Sequence, residues 1–357
     1  MKKALPFLIL AVFFLIAPAV FTTRTWLNAF ILVFVSIVGS CGLRTISLSG
    51  NLSFAQAAFI GLGAYVSGVL AKTLELSLWV TIPIGALAAM AVGLITGLPF
   101  ARLRNIYYCM ASMFMGVAII QFISAMNVTG GANGITGVPS LGKELSKIFD
   151  MPGIGAALEN AGVTRVHLSA DLFLLVTVVS LACLYRFEHS RIGWTLRTLS
   201  QSPEVAASIG VNEVFYRQLS VAFGCFFAGL IGALYAHYST TLSPNSYTMG
   251  TALWLLMYMM IGGSGRFIGP IIGALLLEFV KQIPTILTSM SGLGGVSPEF
   301  IAFSRWAGQY SAYTPFLTAG VLIVVCYWIP GGLVSIPARI ADAIRGHSAR
   351  DRLESNA

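Results

Sequence analysis

Long apolar stretches separated by short polar breaks run along almost the whole chain. At roughly 20 apolar residues per crossing of a hydrocarbon layer about 30 Å thick, they predict ten helices. These cover 5–22, 26–43, 54–71, 78–98, 106–125, 169–185, 218–238, 248–263, 268–288 and 313–329. The fold class that follows is all-α, a polytopic transmembrane helical bundle. One stretch disturbs the rhythm. Leu48-Ser49-Gly50-Asn51-Leu52-Ser53-Phe54-Ala55-Gln56 is too apolar for a free loop and too polar for a clean lipid-facing helix. Such a stretch is tolerated at membrane depth only against protein or a wet cavity. It predicts a re-entrant or broken segment near 46–59, with Asn51, Ser53 and Gln56 as candidates for a solute path, joined by Tyr65 of the following Gly61-Leu62-Gly63-Ala64-Tyr65. Close packing through small residues is the alternative.

The most distinctive polar stretch is the island from Arg186 to Arg217. Within it, Ser202 suits an N-cap, Pro203 the first helical position, and Glu204 the positive end of the helix dipole. Gly210 is a natural stop, and Asn212 is placed to cap a second helix starting at Glu213. The pattern predicts a two-turn helix with Val205, Ala206 and Ile209 as an apolar stripe and Ala206 and Ala207 permitting close approach. A self-contained loop helix is the plainer reading.

Three other interruptions carry less. Gly130, Gly131, Gly134 and Gly137 in Asn127-Val128-Thr129-Gly130-Gly131-Ala132-Asn133-Gly134-Ile135-Thr136-Gly137-Val138-Pro139 forbid a regular helix. They open a long outer loop over 127–168 whose Ile and Val suggest packing back onto the bundle; Gly130, Gly131, Asn133 and Gly134 are candidates for an outer gate or a docking surface for an external partner, against simple surface linkage. Gly262-Gly263-Ser264-Gly265-Arg266-Phe267-Ile268-Gly269-Pro270 predicts a tight turn between two helices; no strand precedes it and no Lys-Ser/Thr follows, as a phosphate loop requires. Glu278 and Lys281, three apart in one apolar stretch, are placed to pair, with Pro284 marking the approach of the helix end.

Composition decides what holds these features. The 357 residues are 57% hydrophobic and only 10% charged, against about a quarter charged in a soluble domain. Basic residues prefer the cytoplasmic flank of membrane helices. Starting the chain inside places 14 of the 21 Lys and Arg residues in the cytoplasm, which supports ten crossings with both termini inside. The net charge of +8 is then a topology signal, and no nucleic-acid partner is needed to explain it. Lys2 and Lys3 ahead of an apolar run also resemble a signal peptide, but the length of the run favours a retained first helix. The five cysteines and four histidines are dispersed, so the pattern predicts no metal, no cofactor and no catalytic group. A process that costs energy would need another chain to supply it.

Taken in order, several runs resemble one family. They are Ser53-Phe54-Ala55-Gln56-Ala57-Ala58-Phe59 to Gly63-Ala64-Tyr65, Thr129-Gly130-Gly131-Ala132-Asn133-Gly134, Glu204-Val205-Ala206-Ala207 to Gly210-Val211-Asn212, Ala228-Gly229-Leu230-Ile231-Gly232-Ala233-Leu234-Tyr235-Ala236-His237-Tyr238, Ser243-Pro244, and Gly262-Gly263 to Gly269-Pro270. The resemblance, over about 30–335, is to permease subunits of bacterial branched-chain amino acid ABC importers, of the second permease type, with urea importer permeases as close relatives. It implies a multi-pass protein of the bacterial inner membrane, set in lipid, that pairs with a homologous second permease, two cytoplasmic ATPase subunits and an extracytoplasmic solute-binding protein. It makes 186–217 a cytoplasmic coupling loop with Glu204, Ala206, Ala207 and Gly210 as the ATPase-coupling positions, to which the helix pattern adds Val205, Ile209 and Asn212. The permease domain would cover 1–345 and a polar cytoplasmic tail 346–357. The implied activity is import of hydrophobic amino acids by alternating access. Urea, short amides or aromatic acids are the alternative cargo, and a stand-alone secondary transporter the alternative class. Two departures stand out: Gln201-Ser202-Pro203 replaces the charged residues common before the Glu, and Ala132 stands where a polar residue is frequent.

Overall fold

The computed structural model describes residues 24–103, 105–142, 144–145, 165–290, 320, 323, 327 and 332–335. The first predicted helix (5–22), most of the last (313–329), loop positions 146–164 and the tail 346–357 lie outside them.

The described residues are helical almost throughout. In chain order the helices are α1 (Arg24–Ser47), α2 (Gln56–Thr73), α3 (Leu78–Phe100), α4 (Asn105–Ala125), α5 (Arg165–Glu188), α6 (Arg191–Gln201), α7 (Pro203–Ser208), α8 (Glu213–Ser239), α9 (Met249–Gly262) and α10 (Ile268–Met290). Five of them, α1, α3, α4, α5 and α8, are long and apolar enough to cross a membrane. The chain divides into two compact units, with the boundary inside α9 after Leu256.

In the first unit, α1 and α8 are central. They bury 78% and 72% of their most apolar windows, whereas α3, α4 and α5 bury 39%, 33% and 44%. Without a hydrophobic drive between helices in lipid, close backbone approach has to supply the packing. Glycines permit it. A Cβ on Gly224 of α8 would stand 2.8 Å from the Gly42 carbonyl of α1, and one on Gly85 of α3 would stand 2.6 Å from the Gly63 carbonyl of α2.

Hydrogen bonds sort the helix ends into two groups. Arg217, at the start of α8, donates to the carbonyls of Ala101 (3.2 Å) and Leu103 (3.1 Å) just beyond α3. At the opposite end, Lys72 of α2 donates to the Thr136 carbonyl (2.9 Å). There β1 (Ile135–Thr136) pairs antiparallel with β2 (Thr241–Leu242), tying the glycine loop to the exit of α8. The two ends are here termed the island end, which carries α6 and α7, and the loop end.

The interruption near 46–59 is narrower than the sequence suggests. α1 stays helical to Ser47 and α2 begins at Gln56, leaving Leu48–Ala55 as a broken segment in which Ser49, Asn51 and Ser53 are buried.

In the second unit, the turn between α9 and α10 is present as predicted, with Gly263 at φ +102°. Arg266 donates to the Val334 carbonyl (3.4 Å). α10 continues to Met290, so Pro284 does not bring the helix to its end.

Candidate functional site

The polar island folds as two short helices, not one. α6 was not legible as a separate helix, yet its signals are ordinary: the Ser190 hydroxyl accepts from the Gly193 amide (3.4 Å) as an N-cap, and Leu196 and Leu199 fall on one buried face. Leu196 packs with Leu48 of the broken segment and Phe187 of α5, flanked by Ile192, Tyr216, Leu219 and Phe223. Phe187 stacks on Phe223 at 4.4 Å.

α7 has Pro203 at its start and Glu204 in its first turn, as predicted. Ser202 occupies the cap position but its side chain makes no capping hydrogen bond. Its backbone serves both helices: the Ser202 amide closes α6 on Thr198 O (2.9 Å) while its carbonyl accepts from the Ala206 amide (3.1 Å). One residue thus joins two helices without a spacer. The far end is orderly. Gly210 takes a left-handed φ of +79°, its amide donates to Ala207 O (3.0 Å), and the Val211 amide donates to Ala206 O (3.1 Å). This is a Schellman motif, which leaves few carbonyls unpaired and fixes the exit direction. Asn212 then caps α8 through Oδ1, which accepts from Phe215 N (3.2 Å).

The expected stripe of Val205, Ala206 and Ile209 splits. Ala206 is fully buried, whereas Val205 is 58% and Ile209 71% exposed. A helix turns about 100° per residue, so Val205 and Ile209 share one face and Ala206 takes another. Glu204, Ala207, Ser208 and Gly210 are exposed as well. α7 therefore rests on the bundle through a single small residue and presents the rest outward.

The base of the island is ionic, a feature the sequence reading missed. Glu188, at the end of α5, is buried with Arg44 of α1. Arg44 Nη2 lies 2.7 Å from Glu188 Oε1, and Arg197 of α6 pairs with the same oxygen. Arg197 also sits 5.4 Å from the Trp194 ring. A carboxylate at a helix C-terminus opposes the dipole, and the two guanidiniums offset that as well as the burial. Arg217, itself buried, pairs with Glu213 at 2.6 Å. The single signal was the rarity of charge: Arg44 is the one basic residue in the last turn of α1.

The other candidates are placed as follows. Gln56 is fully buried where α1 and α8 cross, its Nε2 donating to Gly224 O (3.1 Å) and Gly39 O (3.5 Å). Its Oε1 has no hydrogen-bond partner among the described residues. Ser53 lines a cleft with Ala55, Thr96, Tyr108 and Ser112, and the Phe54 amide donates to Ser112 Oγ (3.1 Å). Tyr65 is buried edge-on to Tyr247 with ring centres 6.4 Å apart; burial raises the Tyr247 hydroxyl pKa and keeps it protonated. Asn51 is buried in the broken segment. The structure thus brings Asn51 and Ser53 together in one segment and sets Gln56 into a helix crossing.

At the loop end, Gly130, Gly131 and Gly134 have φ of +75°, +64° and +78°, and Asn133 is exposed. Ile135 and Val138 are buried, so the loop does pack back. Beneath it lies a second feature the sequence reading missed. His237 of α8 is fully buried, with Nδ1 3.0 Å from Pro139 O and Nε2 2.9 Å from Ser67 Oγ and 3.3 Å from Thr81 Oγ1. A carbonyl only accepts, so Nδ1 carries the proton and Nε2 receives a hydroxyl. One imidazole thereby joins α2, α3, α8 and the glycine loop.

In the second unit, Lys281 and Glu278 pair at 3.0 Å, and Tyr258 donates to Glu278 (2.5 Å) and accepts from Lys281 (3.1 Å). Among the described residues no group of three or more His, Cys, Asp or Glu is placed to hold a metal ion.

Residues 25–326 match the family model of the branched-chain amino acid transport system permease component. The chain is 25% identical over 313 residues to the high-affinity branched-chain amino acid transport system permease protein LivM of Escherichia coli, covering 85% of this chain and 68% of that one. A probable branched-chain amino acid transport permease protein LivM of Methanocaldococcus jannaschii is 22% identical over 254 residues, 70% of this chain and 66% of its own. A nucleoside ABC transporter permease protein, NupC of Lactococcus lactis, is 24% identical over 183 residues, 47% of this chain and 57% of its own. No solved structure matches.

Proposed function

Because the chain belongs to the family of branched-chain amino acid transport permease components, and is thus a multi-pass membrane subunit of an ABC transporter, we propose that it imports branched-chain or similar hydrophobic amino acids. Solute passes from an extracytoplasmic binding protein, and a homologous second permease shares the path. Two cytoplasmic ATPase subunits supply the energy. The island end then faces the cytoplasm of a bacterial inner membrane, with both termini on that side; 1–345 act as one permease domain, and 346–357 form its tail.

The observation that carries this reading is α7: a helix closed by a Schellman motif, with Val205 at 58% and Ile209 at 71% exposure. It is stiff, outward-facing and apolar at its tip, the properties needed to sit in a groove of a motor subunit and pass on its displacement. Glu204, Ala207 and Gly210 complete that surface, while Ala206 and Asn212 hold its shape. Gly130, Gly131, Asn133 and Gly134 then face the binding protein, and Asn51 and Ser53, with Gln56 and Tyr65 behind them, border the path. Alternating access requires that the motor bind the two states unequally, which a rigid helix transmits.

The test is ATP-driven leucine uptake into vesicles holding the assembled transporter, with isoleucine, urea and a nucleoside as competitors. Isoleucine alone should compete. Competition by urea or nucleoside alone would reassign the cargo, and uptake that persists without the ATPases would overturn the permease mechanism.

A further inference from the structure

The structure joins the island to the solute path by a route that runs through α6, and α7 is only its outer tip. Two contacts reach the broken segment Leu48–Ala55, and a third holds the turn of α1 just before it. Leu48 shares a buried cluster with Leu196 of α6 and Phe187 of α5. Gly50, at φ +85°, approaches so closely that a Cβ there would stand 3.2 Å from Ser200 Cβ of α6. Glu188 holds Arg44, one turn before the break, and Arg197 of α6 on a single oxygen. Asn51 and Ser53 lie immediately after these contacts in sequence, and both are buried.

The geometry points to Glu188 and Arg197 as positioning residues that fasten α6 to the last turn of α1, at the edge of the broken segment, so that displacement of α7 reaches Asn51 and Ser53 through α6 and that turn. An ion pair suits this role better than apolar contact alone. Apolar surfaces slide at little cost, whereas a carboxylate held by two guanidiniums fixes direction as well as distance. Leu48, Ser49 and Gly50 still donate back to Arg44, Ile46 and Ser47, but Asn51–Ala55 lies outside any helix, and such a stretch is the part of a helical bundle able to absorb a shift. The inference rests on the permease reading.

The test uses Arg197→Met in the assembled transporter in vesicles, with solute uptake and ATP hydrolysis measured together. Arg197 is the arm to remove because its side chain is one-third exposed (33%), and its loss leaves the Arg44–Glu188 pair in place. Hydrolysis stimulated by the binding protein should persist, because α7 and its docking surface are untouched. Uptake per ATP should fall at least about fivefold, the lower end of ordinary coupling between sites. Arg197→Lys should restore most of the ratio, and Arg197→Gln should give an intermediate fall. An unchanged ratio in Arg197→Met, whether both rates hold or both drop together, overturns the inference. Failure of the permease reading looks different: the wild-type assembly itself would show no ATP-dependent uptake.

Discussion

The island end and the loop end of the first unit are both tied across several helices, but with different chemistry. At the island end the ties are ionic, with Glu188 between Arg44 and Arg197, and Arg217 on Glu213 and the carbonyls beyond α3. At the loop end no buried ion pair does this work among the described residues: His237 gathers Ser67, Thr81 and the Pro139 carbonyl, two short strands pair, and the one charged tie described, Lys72 on the Thr136 carbonyl, is exposed. Buried ion pairs are costly to break and fix direction, whereas neutral hydrogen bonds are exchanged at a net cost of about 1 kcal/mol each. Under the proposed function, the difference fits an island end that transmits force without yielding and a loop end that opens.

The largest expected effect comes from the tip of the ionic end. Gly210→Pro forbids the left-handed φ that the Schellman motif needs. Uptake should be abolished while the chain still inserts, as membrane fractionation would show. Next is Glu188→Leu, which leaves buried Arg44 without its carboxylate. Breaking such a pair from one side typically costs about 3–5 kcal/mol, so the thermal midpoint in detergent should drop steeply. Wild-type stability in this variant would remove the ionic end from the comparison.

His237→Ala should cost less, about 1–3 kcal/mol for the hydrogen bonds it strands, and should make the loop at 127–140 more open to protease while ATP hydrolysis persists. A protease pattern like wild type would deny that His237 pins the loop. Smallest is Lys72→Met, which removes one exposed hydrogen bond to Thr136 and should cost at most about 1 kcal/mol. An effect as large as that of Glu188→Leu would mean that the two ends do not differ in kind.

How far these ends were legible follows from the range of the forces that build them. Local signals carried over well: Asn212 caps α8, Gly210 ends α7, and the eight apolar runs that fall among the described residues became helices within about five residues of their expected bounds. Ser202 misled because its cap role was judged without α6, the helix whose last turn it closes. The two hubs were hidden for another reason. Glu188 meets a residue 144 positions away, and His237 meets one 170 away. No periodicity encodes such a pairing; only the scarcity of charge in the last turn of α1 and of polar groups in α8 hinted at it. For the same reason the sequence did not show that Gln56 spans a helix crossing, one that exists only once Gly42 and Gly224 come together.

The most direct measurement of the central claim is site-specific photo-crosslinking in the assembled transporter, with the probe at exposed Ile209 on α7 or at exposed Asn133 in the glycine loop. The probe at position 209 should capture an ATPase subunit, and the probe at position 133 the solute-binding protein. Capture of the binding protein from position 209, or of an ATPase from position 133, would contradict that claim.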